Sequence, residues 1–512
     1  MKNQKGVFKA FVSVSGLIVV DKIIGFIKQV IVASTFGATT ETDIINLSQN
    51  AISDIQYILS QTLITAFVSI YIHTQQGVEG SVQKSRLFVG DAIKTFVSLS
   101  LMISIILFFT SNIIARILAP SYSLALSNSL SQHIRVYSLI ICLFTLCCIF
   151  RAVLSANKNF VPEQFVSFNQ SVVTIVITLF FSSIWGAQSL VVSFFVSTIL
   201  NTIFLGLLCR NQITIAVSNP IKNRNVVNLF RMIGPLLFGY SLIYINQMVD
   251  RMLVSGLGVG VITALSYGSV LSNLITTFIT TFCTIIFSYI ASEVSASNYK
   301  SASSIVGISI KTLSVLFMPI SITFVICSQE IVSIVFGHGA FDTSAVTSAS
   351  LALKGYSIMF VPVVFREIYS RYQYAFQDSK SPTINGSIGI IGNIILSVVL
   401  CRMWGVYGVA LATSLSVLIS AILNMFSARK ITKDLSYAFL RIFGIKFLFA
   451  IILSTAFGLV VFHSLSAVNN YFRLCAVFIS CTIFFVFIFG KEFLESIKDL
   501  TIKQNITTSN FK

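Results

Sequence analysis

Asp21, Lys22, Gly25, Lys28 and Gln29 lie in one short stretch of an otherwise apolar sequence. Wound as a helix at 100° per residue, they fall within about 120° of one another and form a single stripe. Two lysines and one aspartate leave net positive charge, which a closed structural pair would not. In a water-filled cavity such a face selects an anion, and a lysine ammonium meets a phosphate as a point charge. The competing reading is that Asp21 and Lys28 neutralise each other and hold two helices together. A second stripe, Asn50, Asp54, Tyr57 and Gln61, advances in steps of four, three and four residues. Further along come Asn246, Gln247, Asp250 and Arg251, and then Lys354 beside Gly355. Ionisable groups within apolar spans are costly, so each should face a cavity or a partner. Asp250 and Arg251, near the end of their span and able to snorkel, read equally well as a pair that joins helices. Asp21, Asp54 and Asp250 are the candidates for binding a coupling monovalent cation or for resetting the lysines.

Catalytic constellations are scarce, and no enzymatic activity is expected. The chain has no GxxxxGK[ST] phosphate loop and no HExxH, and His73, His133, His338 and His463 are scattered. His338-Gly339-Ala340-Phe341-Asp342 has no accompanying nucleophile or second base, so it reads as a capping turn. The cluster Gly256, Gly258 and Gly260 reads as ordinary turn chemistry. The nine cysteines form no CxxC or Cys/His spacing, which argues against a metal site or a disulfide framework. No cofactor is expected.

The elements that must position these residues follow from composition. Of 512 residues, 55% are hydrophobic and only 10% charged, with a mean hydropathy of +0.90. A soluble domain carries about 25% charged residues, so the chain is an integral membrane protein. Apolar stretches bounded by polar turns mark fourteen spans, near 10–35, 44–72, 89–117, 131–156, 162–184, 187–209, 226–253, 260–290, 304–327, 345–373, 383–403, 407–428, 437–462 and 470–490. They lack the alternation of a barrel strand and read as helices. The first is expected to be an uncleaved span, because Asp21-Lys22 interrupts the apolar run and no A-x-A-like cleavage site follows. The net charge of +17 sorts into alternate loops, including Lys2/Lys5/Lys9, Lys84/Arg86, Arg210/Lys222/Arg224, Arg429/Lys430/Lys433 and Lys491/Lys498/Lys503. Basic loops remain cytoplasmic, which places both termini inside and leaves no need for a nucleic-acid partner. Anionic lipid headgroups are a secondary partner for that charge.

A repeat offset by about 220 residues divides the chain. Tyr137-Ser138-Leu139-Ile140 returns as Tyr356-Ser357-Ile358-Met359, and Arg151, eleven residues before Pro162, returns as Arg371, eleven before Pro382. The only two tryptophans stand in Trp185-Gly186 and Trp404-Gly405, each 25 residues before a basic helix end, Arg210 and Arg429. Six spans per repeat is an even number, so the halves run in the same direction, as in transporters built from parallel repeats. The expected organisation is all-α: an N-lobe over 1–210 with helices 1–6, a C-lobe over 220–430 with helices 7–12, helices 13–14 over 431–490, and a tail over 491–512.

The residues also resemble a known family. Gly25-Phe26-Ile27-Lys28-Gln29 through Phe36-Gly37-Ala38 and Asp43 is similar to the opening motif of the MurJ/MviN lipid II flippases. Val249-Asp250-Arg251 followed by Ala264-Leu265-Ser266-Tyr267 resembles a second family stretch. The third runs from Phe336 to Asp342, then from Ser370-Arg371 to Tyr374-Ala375-Phe376-Gln377-Asp378-Ser379-Lys380-Ser381-Pro382. The resemblance implies a flippase of the MOP superfamily, with two six-helix lobes and two added helices in the bacterial cytoplasmic membrane. It would move an undecaprenyl-diphosphate-linked saccharide outward by alternating access, most simply the peptidoglycan precursor lipid II. By position, Lys22 and Lys28 match cationic cavity residues of the family, Gly25 lies between them, and Asp43 matches an acidic residue just after that helix. The family often has arginine where this chain has the two lysines. The cation of its second helix falls near the uncharged Gln56, and Ser269 and Val270 stand where an eighth-helix arginine is expected.

Other functions remain open at this level. A flippase for an O-antigen or exopolysaccharide repeat unit would use the same chemistry with fewer cations. A drug or cation antiporter of the same superfamily would want net acid in its cavity. A membrane glycosyltransferase or polymerase would need larger outer loops. Proteins of cell-wall or polysaccharide synthesis are the expected protein partners.

Overall fold

A computed structural model describes residues 20–76, 82–157, 159, 161–214, 223–432 and 438–509. Among them the regular structure is helical throughout, and no strand occurs. In chain order the helices are α1 (20–36), α2 (Thr40–Gln76), α3 (Val82–Leu118), α4 (Leu124–Ser138), α5 (Ile141–Ala156), α6 (Val161–Trp185), α7 (Gln188–Cys209), α8 (Arg224–Val254), α9 (Val261–Ser295), α10 (Tyr299–Ile326), α11 (Ser328–Phe336), α12 (Thr343–Ser357), α13 (Phe360–Ala375), α14 (Lys380–Ile431), α15 (Ala438–Ser464) and α16 (Asn470–Ser509).

Nine of these helices are long and apolar enough to cross a membrane, and twelve spans result if each of three bent pairs counts as one. Two of the bent pairs are α4 with α5, at 42°, and α12 with α13, at 40°. The third is a 48° bend within α8 between Gly234 and Gly239. α14 has 52 residues and passes through non-helical backbone at Gly405. At 1.5 Å per residue it is roughly two and a half times the length needed for one crossing. With α14 as two spans and α1 as one more, the expected fourteen is consistent with the structure.

The chain forms two compact units, 1–263 with 338–342, and 264–337 with 343–512. In unit 1, α2 is the central element and packs on α4, α5 and α8, while α3 packs on α4 and α6 on α7. Its core is apolar and aromatic, with Phe67, Tyr71, Phe88 and Ile149 almost fully buried. In unit 2, α10 packs on α13, α15 and α16, and α14 on α12 and α13.

The repeat seen in the sequence is a repeat of helix breaks. Tyr137-Ser138 ends α4 and Tyr356-Ser357 ends α12, each just before the second helix of a bent pair. A break strips the last carbonyls of their helical donors. In unit 1 the Ser104 hydroxyl donates to the Ser138 carbonyl at 2.7 Å, and in unit 2 the Ser321 hydroxyl donates to the Ser357 carbonyl, also at 2.7 Å. The tryptophan–glycine pairs mark the other break. Gly186 and Gly405 adopt φ of 54° and 56°, positive values that glycine takes without a Cβ penalty.

Candidate functional site

Within α1, Asp21 is buried, Lys22 is exposed and Lys28 is half-buried, and both ammonium groups act electrostatically on the Asp21 carboxylate. Gly25 faces α6, where a Cβ would stand in ordinary contact, 3.8 Å, with the Ser171 hydroxyl. The structure therefore brings Asp21, Lys22 and Lys28 into one electrostatic group, with one cation open and the other half-enclosed.

The second stripe reaches across to α8. Arg251 Nη1 donates to Asp54 at 2.5 Å and its Nη2 to Gln247 Oε1 at 3.3 Å. Arg251 is thus paired with Asp54, a residue 197 positions away, and not only juxtaposed with its sequence neighbour. Asp250 is buried and has interactions of its own. One step along α2, Tyr57 stacks on Tyr244 of α8 at 6.3 Å and meets Phe144 of α5 edge-on. Gln56 turns away from that stripe into the unit, where its amide nitrogen is buried without a hydrogen-bond partner. Lys354 lies exposed on α12, in unit 2.

Asp43 has a different setting. Its two carboxylate oxygens accept from the backbone amides of Gly260, at 2.7 Å, and Thr263, at 2.8 Å. Those amides open α9, so Asp43 caps that helix from a distance and complements its dipole. Around it three left-handed glycines let backbones touch. A Cβ on Gly37, Gly260 or Gly339 would lie 2.1–2.2 Å from the carbonyl oxygens of Ala340, Ala38 and Ser34 respectively. The Ala340 amide donates to the Ser34 carbonyl at 2.8 Å. The His338–Asp342 motif is accordingly a backbone clasp on the loop between α1 and α2. Burial, and then the Asp43 charge, raise the Tyr122 phenol above its ordinary range.

The most specific family-like stretch, Tyr374 to Pro382, is a turn between helices. Gln377 is left-handed, the Asp378 amide returns to the Gln373 carbonyl at 3.0 Å, and the Asp378 carboxylate accepts from the Ser381 amide at 3.0 Å. Bonds from Ser381 hold the Asp378 carboxyl below the usual carboxylate range.

Sequence reasoning passed over a charged group in unit 2. On α13, Arg366 donates to Glu367 Oε1 from Nη2 at 2.8 Å and from Nε at 3.2 Å, while Arg371 donates to Glu367 Oε2. Arg371 also reaches α9, with Nη2 3.0 Å from Thr284 Oγ1 and 3.3 Å from the Thr280 carbonyl. The signal was present in the repeat, which equates Arg371 with Arg151, and in the Glu–Arg spacing of four along a helix. Among the described residues no cluster of three or more His, Cys, Asp or Glu side chains could hold a metal ion.

A family model described as lipid II flippase MurJ matches residues 32–482. The probable lipid II flippase MurJ of Vibrio cholerae is 22% identical over 438 residues, covering 82% of this chain and 82% of the relative. That of Borreliella burgdorferi is 24% identical over 424 residues, covering 79% and 80%. Among solved structures, a lipid II flippase MurJ in an inward closed conformation superposes with a TM-score of 0.78 at 21% identity, covering 93% of this chain and 98% of that one. An inward-facing multidrug transporter of the MATE family, within the MOP superfamily, gives 0.68 at 13% identity, covering 81% and 96%. Lys22 and Lys28 lie just before the matched residues.

Proposed function

Because this chain belongs to the lipid II flippase MurJ family, we propose that it moves an undecaprenyl-diphosphate-linked saccharide, lipid II in the first instance, from the inner to the outer leaflet. The observation that carries this reading is the family match over 32–482, to which α1 adds a face of net positive charge. The headgroup enters from the cytoplasmic side of the inner membrane while the polyprenyl tail stays in the bilayer. Lys22 and Lys28 engage the diphosphate, the exposed ammonium first and the half-enclosed one as the headgroup advances. Outward exposure follows by alternating access, with no chemical change to the substrate and both termini cytoplasmic. Asp21, Asp54 and Asp250 are the candidates for a coupling monovalent cation, and Asp54 can release Arg251 only if its own charge is compensated. Asp43 acts on this cycle through the cap it places on α9, not through the phosphates.

The carriage of an O-antigen or exopolysaccharide unit is the second reading. Gln56 and Ser269 favour it, as uncharged groups where a larger set of cations would grip lipid II more firmly. A host depleted of its own lipid II flippase separates the two. Restored growth and outward movement of labelled precursor support lipid II; failure of the inserted protein to restore either favours another glycan. Full activity in a Lys22→Ala/Lys28→Ala variant would sink the role given to the lysines.

A further inference from the structure

We propose that Arg366, Glu367 and Arg371 form a diphosphate-recognition subsite in unit 2, in which the Glu367 carboxylate sits between the two guanidinium groups until a diphosphate displaces it. The inference rests on the flippase reading and assigns a second anion site to it.

Three observations carry it. First, the group has net charge +1: two guanidinium groups share one carboxylate, with Arg366 on Oε1 and Arg371 on Oε2. A carboxylate held between two guanidinium groups, one on each oxygen, stands where a bridging phosphate could stand, because guanidinium donors match carboxylate and phosphate oxygens alike. Second, the group is accessible, with the Arg366 side chain 34% exposed and those of Glu367 and Arg371 at 18% and 16%.

Third, the α9 face beside it is lined with polar side chains. Asn273, Thr277, Thr281, Thr284 and Ser288 are exposed on α9, and Thr280 is half-exposed. At 100° per residue they share an arc of about 100°. Phe278, Phe282 and Ile285 are also exposed but lie on a separate arc centred more than about 100° away. The exposed apolar arc suits lipid, whereas the hydroxyl arc, whose side chains also bond their own helix's carbonyls, keeps acceptor lone pairs for a polar neighbour. The hydroxyl arc is the one Arg371 touches, through Thr284 Oγ1. Glu367 stands eight residues from the end of α13, about 12 Å along the helix axis, at a depth where charged groups mark substrate or ion pathways. A permanent helix-joining pair would need one arginine and one glutamate; the second arginine supplies the unbalanced charge.

The test uses the purified full chain in detergent, with inorganic diphosphate and undecaprenyl diphosphate as separate probes. Glu367→Gln removes the internal competitor, so binding should tighten by about tenfold, the factor that one charge-assisted hydrogen bond commands. Arg366→Gln should weaken binding by a similar factor, and Arg366→Gln/Glu367→Gln should lose the gain. Tightening towards both probes means that the headgroup alone is recognised; tightening towards the lipid alone means that the polyprenyl chain contributes to recognition. Unchanged or weaker binding in a Glu367→Gln protein of normal thermal stability overturns the proposal. If that variant does not fold, Glu367→Asp, too short to reach both guanidinium groups, must show the same tightening or the proposal fails. Because inorganic diphosphate binding needs no flipping, failure here leaves the transport reading standing. Tightening in a protein that cannot replace a lipid II flippase would instead retain the subsite and remove lipid II.

Discussion

At the scale of single residues, the carboxylates divide by what they accept from. Asp43, 1% exposed, binds two backbone amides. Its replacement strands those donors in the interior, at about 1–3 kcal/mol for a buried unsatisfied group. Asp43→Ala should therefore melt several degrees lower in detergent, and Asp43→Asn, which keeps one acceptor, should lose less; equal melting of all three proteins would remove the capping role. Asp54 faces a full guanidinium charge instead. Breaking a buried pair from one side costs about 3–5 kcal/mol, whereas removing both partners costs less. Asp54→Ala and Arg251→Ala should each destabilise more than Asp54→Ala/Arg251→Ala, and strict additivity in that cycle would show the pair to be uncoupled. Asp378 titrates in the opposite sense from a buried acid. Its folded carboxyl is held low, so its contribution is full above the ordinary aspartate value of about 4 and disappears as pH falls through the folded one. An Asp378→Ala protein should lack that part of the acid-side decline in a pH series of melting curves. The polar stripe of α1 was legible in the sequence because 100° spacing alone defines it. The Asp54–Arg251 pair was not, because nothing in spacing relates residues 197 apart.

At the scale of elements, the breaks matter more than the helices. Gly186 and Gly405 both take positive φ after the only two tryptophans. A Cβ on Gly186 would meet nothing within 4 Å, so Gly186→Ala isolates the backbone penalty, roughly 1–2 kcal/mol. Gly37→Ala adds a collision with the Ala340 carbonyl at 2.1 Å and should cost distinctly more. If the two variants melt alike, the clasp between these loops is looser than its contacts imply. Ser104 and Ser321 make matching bonds to the carbonyls at the two breaks, and each alanine variant should lose about 1 kcal/mol. Tyr-Ser followed by two apolar residues was visible twice in the sequence. That it ends a helix was not, since tyrosine, serine and isoleucine carry no strong stop signal and the bend is stabilised by a hydroxyl from another helix.

At the scale of the whole molecule, the basic loops make a topological prediction. With both termini cytoplasmic, the loop after α9 faces the cytoplasm and the loop after α11 faces outward. In intact cells a membrane-impermeant thiol reagent should label His338→Cys and spare Ser297→Cys, both at exposed positions. The reverse pattern would invert the orientation and with it the direction of transport.

The sequence by itself determined the class of molecule and its repeat. Charge is too scarce for a water-facing surface, and apolar runs of membrane length are a property of the linear chain. The family-like motifs were likewise local strings. Only the tertiary structure decided which polar groups meet: Asp43 with the first turn of α9, Asp54 with Arg251, and Glu367 with two arginines beside the hydroxyl face of α9. In a low-dielectric interior the position of a charge is set by the partner that neutralises it, and these partners come from helices whose adjacency is a product of packing.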